Sequence, residues 1–154
     1  MAEYSANAIQ VVNPGESVVF TTTVVPCTRG FVRHREDTGN FLLSGWVPNR
    51  CGCRNTNNSA NYFVDFGANI SIPTGGTVEE ISVAIMLDGN TVPSTSMIVT
   101  PAAVDDYFNV SRAATIPVWS GCCETVSIRN TSEQPIQVQN ANIVITRPDL
   151  AVTY

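Results

Sequence analysis

Residues 61–90 read NYFVDFGANISIPTGGTVEEISVAIMLDGN, and the spacing of their apolar side chains decides the fold. Tyr62, Val64, Phe66, Ala68 and Ile70 alternate with Phe63, Asp65, Gly67 and Asn69. Period-two alternation puts the first set on one face of a β-strand and the second on the other. PTGG then breaks the chain. Ile81, Val83, Ile85 and Leu87 repeat the alternation, and DGN (88–90) has the residues of a tight hairpin turn. Two half-buried strands separated by turns imply an antiparallel β architecture. The faces opposite the core carry information too. A strand face bathed by water is polar, yet Phe63, Ala84 and Met86 fall on those faces. Either a partner chain covers them or they lie beneath a loop of the same chain.

The rest of the chain repeats the pattern. Short β-rich runs occur at 8–12, 17–25, 31–35, 41–46, 107–119 and 124–130 and over the final IQVQNANIVITR, with turn residues such as NPGE and EDTGN between them. Val18, Phe20 and Val24 are expected on one face of 17–25. In the last strand Ile136 and Val138 have one parity, while Ala141, Ile143 and Ile145 have the other. A β-bulge near Asn140 reconciles them. No segment has helical periodicity. The expectation is an all-β protein, an antiparallel sandwich of about ten strands. A short N-terminal arm (1–7) precedes the domain (8–147), and a C-terminal tail (148–154) follows it.

The composition excludes several functions. Of 154 residues, 44% are hydrophobic and only 14% charged, giving a net charge of −5. There is no lysine; all eight basic residues are arginine, and fourteen residues are asparagine. No basic run marks a nucleic-acid footprint, and no apolar stretch approaches the ~20 residues that cross a membrane. Neither nucleic acid nor membrane is an expected partner. The start MAEYSANAIQ has no basic and then apolar region of a secretory signal, so synthesis in a cytoplasm is expected. A lysine-free, amide-rich surface suits contact with other proteins.

Catalysis has little to work with. His34, in RGFVRHRED, is the single histidine, and it shares a strand face with Val32, as a half-buried structural residue does. The acidic pairs Glu36–Asp37, Glu79–Glu80 and Asp105–Asp106 are sequence neighbours, which point apart on a strand and do not form a facing carboxylate pair. The protein is expected to be no enzyme and to use no cofactor. Arg29, Arg33, Arg35, Arg50 and Arg54 form a basic patch if their loops are neighbours, able to grip an acidic partner or sugar. Asp65 has the parity of Phe63 and wants a counter-ion, for which Arg112 is a candidate. In NRCGCRNTNN (49–58), Arg50, Arg54, Asn55, Asn57 and Asn58 suit contact with a partner protein. Five cysteines, Cys27, Cys51, Cys53, Cys122 and Cys123, leave three readings open: buried thiols, a disulfide such as Cys27 to Cys51 or Cys53, or a zinc site without the usual C-x-x-C spacing. Among aromatics, Tyr107, Trp46 and Trp119 are sugar-binding candidates, with the two tryptophans expected in the core.

The segments FGANI, SVAIMLDG, RNTS and VQNANIVI, spread over residues 8–146, resemble those of tumour-necrosis-factor-like jelly-roll proteins of bacteriophages and prophages. That resemblance implies a ten-strand jelly roll associating as a homotrimer, with one sheet packed on its neighbours. Phe63, Asp65, Ala84 and Met86 are the expected trimer-interface residues. It further implies a non-enzymatic virion structural protein, a capsid decoration or head-fibre protein docked on the major capsid protein or another virion protein at the capsid surface. The alternatives are a fibre tip that binds a receptor or host-surface carbohydrate, and a bacterial surface or spore-coat jelly roll.

Overall fold

The computed structural model describes residues 1–47, 59–121 and 123–148. Twelve strands run through them: β1 (Ala2–Ala6), β2 (Gln10–Val12), β3 (Thr22–Val25), β4 (Val32–His34), β5 (Phe41–Ser44), β6 (Ser59–Ser71), β7 (Ile81–Leu87), β8 (Asn90–Thr91), β9 (Met97–Val99), β10 (Phe108–Trp119), β11 (Cys123–Asn130) and β12 (Ile136–Thr146). A single 3₁₀ turn, Pro93–Thr95, is the other regular element among the described residues. The strands form two antiparallel six-stranded sheets. The first has the order β10-β6-β12-β1-β3, with β2 also paired to β12; the second has the order β4-β5-β11-β7-β8, with β9 also paired to β7. The all-β, antiparallel sandwich expected from the alternation is the fold observed.

The core lies between the sheets. Tyr62, Val64, Phe66, Ala68 and Ile70 of β6 are all buried, and face Ile81, Val83 and Ile85 of β7 together with Val126 and Ile128 of β11. Each large aliphatic or aromatic side chain so buried contributes about 2 kcal/mol. Turn chemistry holds the strands in register. Asp88 and Gly89 both adopt positive φ (48° and 80°), and Leu87 pairs with Asn90 across them, the mirror-image turn that Asp-Gly favours. The expected bulge is present: the β12–β6 register shifts between Gln139 and Asn142, and Asn140 sits at φ 52°. It rotates the strand by one residue, so Val138 and Ala141 both point inward.

Two expectations need correction. Residues 1–7 are not an arm: β1 lies inside the first sheet, hydrogen-bonded to β12 and β3, with Ala2, Tyr4 and Ala6 buried. The run 17–25 is not one strand. Ser17 bridges to Arg129 of the second sheet, Phe20 bridges to Thr38, and only Thr22–Val25 joins the first sheet. The chain crosses between sheets there, so the parity changes; Val18 and Phe20 are buried while Val24 is half exposed. Phe108, although it has the parity of the buried Val110, is 40% exposed at the start of its edge strand.

Candidate functional site

The face carrying Phe63 is the outer surface of the first sheet. Register places its outward residues in rows across β10, β6 and β12: Thr115, Phe63 and Thr146; Ala113, Asp65 and Val144; Ser111, Gly67 and Asn142; Asn109, Asn69 and Gln139. None is fully buried, Phe63 is 41% exposed, and Asp65 is the one charge among them. The amides are tied down. Asn142 donates to Glu3 of β1 (2.8 Å) and Asn109 donates to Asn69 (3.2 Å). The result is a face of mostly small, uncharged side chains, with Asp65 in its second row, Glu3 of β1 in the same row beyond Val144, and an aromatic ring at one end. Charge depletion with an exposed aromatic is the composition of an interface centre rather than of an ordinary solvated face. Arg112 does not serve Asp65. It lies on the opposite parity, beside Phe66, and its Nε donates to the Ser94 carbonyl (3.0 Å).

Ala84 and Met86 do not belong to this face. They sit on β7, on the outside of the other sheet, and are 0% and 2% exposed. Their own chain covers them. Thr91 of β8 donates its hydroxyl to the Met86 sulfur (3.3 Å). The Thr95 hydroxyl accepts from the Ile85 amide (3.0 Å) and fastens the 3₁₀ turn to β7. Arg129, opposite Ala84, reaches the Gly89 carbonyl (3.3 Å). Of the two readings of outward apolar residues, cover by the same chain holds for these two.

One end of the sandwich gathers several loop flanks. The Tyr62 hydroxyl donates to the Ser44 carbonyl (2.7 Å) and lies 3.2 Å from that of Phe31. Ser44 pairs with Cys123, and Trp119 pairs with Ser59. The Arg147 guanidinium lies over the rings of Phe31 and Tyr62, at 5.2 and 5.5 Å. Trp46 and Trp119, expected in the core, are 57% and 60% exposed at this end; strand ends rather than side-chain size decide their placement. Cys27 is half-buried against the core and Cys123 is exposed. Cys51, Cys53 and Cys122 lie outside the described residues, as do Arg50, Arg54, Asn55, Asn57 and Asn58.

No protein-family model matches the sequence, and no curated relative does. Solved structures match over nearly the whole chain. A tumour necrosis factor, Eiger, from S. frugiperda aligns with a TM-score of 0.65 at 11% identity, over 99% of this chain and 93% of the other. The globular domain of the zebrafish complement 1qA protein aligns with a TM-score of 0.58 at 13% identity, over 93% of this chain and 94% of the other. The fold is the tumour-necrosis-factor-like jelly roll.

Within this jelly roll the single histidine is structural. His34 Nδ1 lies 3.0 Å from the Asn40 carbonyl and Nε2 lies 3.3 Å from the Phe20 carbonyl. Its ring stacks on Phe41 at 4.3 Å and meets Tyr4 edge-on at 4.8 Å. Both nitrogens face main-chain carbonyls. Tyr4, in the same cluster, has its phenol pushed above the ordinary value by burial, with Cys27 adding to the effect.

One acidic contact missed in the sequence lies at the β7–β8 turn. Asp88 accepts the Thr125 amide (2.7 Å). The neighbouring Glu124 has a shielded Oε2 with no hydrogen-bond partner among the described residues. Burial first, and the Asp88 carboxylate second, push the Glu124 carboxyl above its usual value. A carboxyl raised in the folded state opposes folding once it ionises; the penalty grows as pH rises through the carboxylate range and is absent in acid. Glu124→Gln is therefore expected to melt above the parent near neutral pH, with the gap closing as pH falls. Thermal unfolding at a series of pH values checks this, and a gap independent of pH would contradict it.

Proposed function

We propose that this jelly roll is a non-enzymatic binding module that works as a homotrimer and decorates the surface of a virion. The observation that carries the self-association is the outer face of the β10-β6-β12-β1-β3 sheet: across β10, β6 and β12, Asp65 is its one charge and Phe63 lies open to water. Packing the β10, β6 and β12 part of that face against neighbouring copies buries the ring and brings one Asp65 per copy to the contact, with Glu3 of β1 beside it in the row of Val144. Ala84 and Met86 have no part in it. The virion role rests on the resemblance of the sequence to phage jelly rolls. Its docking contacts are assigned to Arg50, Arg54, Asn55, Asn57 and Asn58. Such docking is multivalent: three weak contacts around an axis act together, as if each faced a high local concentration of its partner.

The purified chain is expected to sediment as a trimer at micromolar concentration. Phe63→Arg places three guanidiniums in the contact and should weaken assembly on the order of 100-fold or more. The folded monomer should lose less than about 1 kcal/mol, because the site is on the surface. A monomeric parent, or a Phe63→Arg variant that still assembles, contradicts the reading. For the virion role, quantitative mass spectrometry and imaging of purified particles should find the chain in large copy number on heads.

A second reading has its own observation. Trp46 and Trp119, exposed at one end, offer indole faces of the kind that stack on sugar rings, and fit a carbohydrate-binding fibre tip. That reading requires a scarce protein located on tails, so the same particle measurement separates the two.

A further inference from the structure

From the opposite sheet we infer a second site, one that binds a single oxyanion (carboxylate, sulfate or phosphate) carried on a small acidic saccharide. The site is a depression of about 430 Å³ on the outer face of the β4-β5-β11-β7-β8 sheet. Register puts Arg33 of β4 beside Leu42 of β5, and Leu42 beside Thr125 of β11. Arg33, His34, Arg35, Thr38, Asn40, Leu42 and Thr125 line it.

Four observations converge on an anion. Arg33 and Arg35 are two apart on an extended chain, so they project to the same side with Cα atoms about 6.6 Å apart. Both are exposed, and neither guanidinium has a hydrogen bond or ion pair among the described residues. No acidic residue lines the depression, although Glu36 and Asp37 follow directly in sequence and the chain carries net charge −5. The backbone between the arginines is rigidly held. His34 is pinned to the Asn40 and Phe20 carbonyls and stacked on Phe41, and the Thr38 hydroxyl donates to the Arg35 carbonyl at 2.6 Å. Two forks presented from a held segment, Arg33 on β4 and Arg35 just past its end, lose less freedom on binding than two on a free loop.

The size and lining choose the occupant. The hollow is at the small end of the range for small-molecule sites. Two cations on an acidic chain give little hold on a nucleic acid, whose binding grows with the number of phosphates neutralised. Half-buried Leu42 offers an apolar surface to the C–H face of a ring, and Thr125 and Asn40 offer partners to hydroxyls. The site lies on the sheet away from Phe63, so it is open in a monomer or in the proposed trimer and does not depend on assembly.

The test is calorimetric titration of the full chain, with backbone amide shifts read in parallel. The probes are a sulfated disaccharide, digalacturonate, an uncharged disaccharide and inorganic sulfate. At least one acidic disaccharide is expected to bind ten-fold or more tighter than both the uncharged disaccharide and inorganic sulfate. It should move the amides of residues 33–42 and lose affinity with added salt. The exposed pair Arg33→Gln/Arg35→Gln should keep the parent melting temperature and lose at least ten-fold in affinity. The inference is overturned by equal binding of the uncharged disaccharide or of inorganic sulfate, by unmoved amides at 33–42, or by undiminished affinity in the double variant. Binding confined to an oligonucleotide or a polyaspartate probe also overturns it.

Discussion

Asn130→Ala is expected to lower the unfolding free energy by about 3 kcal/mol, a large share of what holds a domain of this size together. Asn130 is fully buried at the end of β11. Its Nδ2 donates to the Val12 and Gln134 carbonyls, each at 2.9 Å, and its Oδ1 accepts the Ser132 amide at 2.8 Å. Its backbone accepts from Gly15 and donates to the Glu16 carbonyl, both at 2.9 Å. One side chain therefore ties the first turn of the chain, the end of β11 and the turn leading into β12. Alanine removes the side-chain partner of two carbonyls and one amide, the bond to Val12 buried and those to Gln134 and Ser132 partly buried. Each such group costs ~1 kcal/mol or more. Asn130→Asp separates the hydrogen bonds from the volume. The carboxylate keeps the acceptor, loses both donors and buries a charge, so its cost should exceed that of alanine near neutral pH and fall in acid, where the protonated group regains one donor. Urea denaturation of both variants at two pH values measures this. A loss under about 1 kcal/mol for Asn130→Ala would show that the groups find other partners.

The turn around Asn130 shows what the sequence discloses and what it withholds. RNTS is recognisable as a turn, because Asn and Ser compete locally for backbone hydrogen bonds. That the amide reaches Val12, far away in the chain, is not, since no local pattern encodes a partner that only the fold supplies. The same division runs through the molecule. Tyr62 to Ile70 and Ile81 to Ile85 are legible because a half-buried strand must alternate. The bulge at Asn140 is legible because two incompatible parities in one strand leave no other solution. Ala84 and Met86 are misassigned by alternation, which says only which residues leave the core, not whether a 3₁₀ turn and Arg129 of the same chain then cover them. Trp46 and Trp119 are misplaced when their bulk is weighed above their position at strand ends. The strand Ala2–Ala6 escapes notice because two of its three buried apolar residues are alanines, whose weak hydrophobic signal blurs the alternation, and because Ser5 is buried too. Of the arginine cluster, only Arg33 and Arg35, two apart in sequence, can be placed on one surface by spacing alone, and it is that pair which lines the depression.

Gly39→Ala is expected to cost about 3 kcal/mol, in the upper range for overpacking a buried position. A Cβ on Gly39 would lie 2.6 Å from the Val18 carbonyl oxygen and 2.7 Å from the Ser17 Cβ, closer than atoms tolerate. One of the two obstacles is main chain and the other is fixed to it, so a rotamer change offers no relief. Relief requires the 36–40 turn to part from the segment 17–20 where the chain crosses between sheets. That movement breaks the bridge in which the Phe20 amide donates to the Thr38 carbonyl and the Asp37 amide to the Phe20 carbonyl, each at 3.0 Å. It also pulls on Phe20, fully buried against Phe41 at 5.2 Å. Gly15→Ala is the control. Gly15 has φ 77°, and a Cβ added to it would meet nothing within 4 Å, so alanine there suffers only the left-handed backbone, about 1 kcal/mol. If steric contact at the sheet crossing is the cause, chemical denaturation should separate the two variants by about 2 kcal/mol. Equal losses would mean that the crossing yields, and that the Phe20–Thr38 bridge is not what holds residues 17–20 between the two sheets.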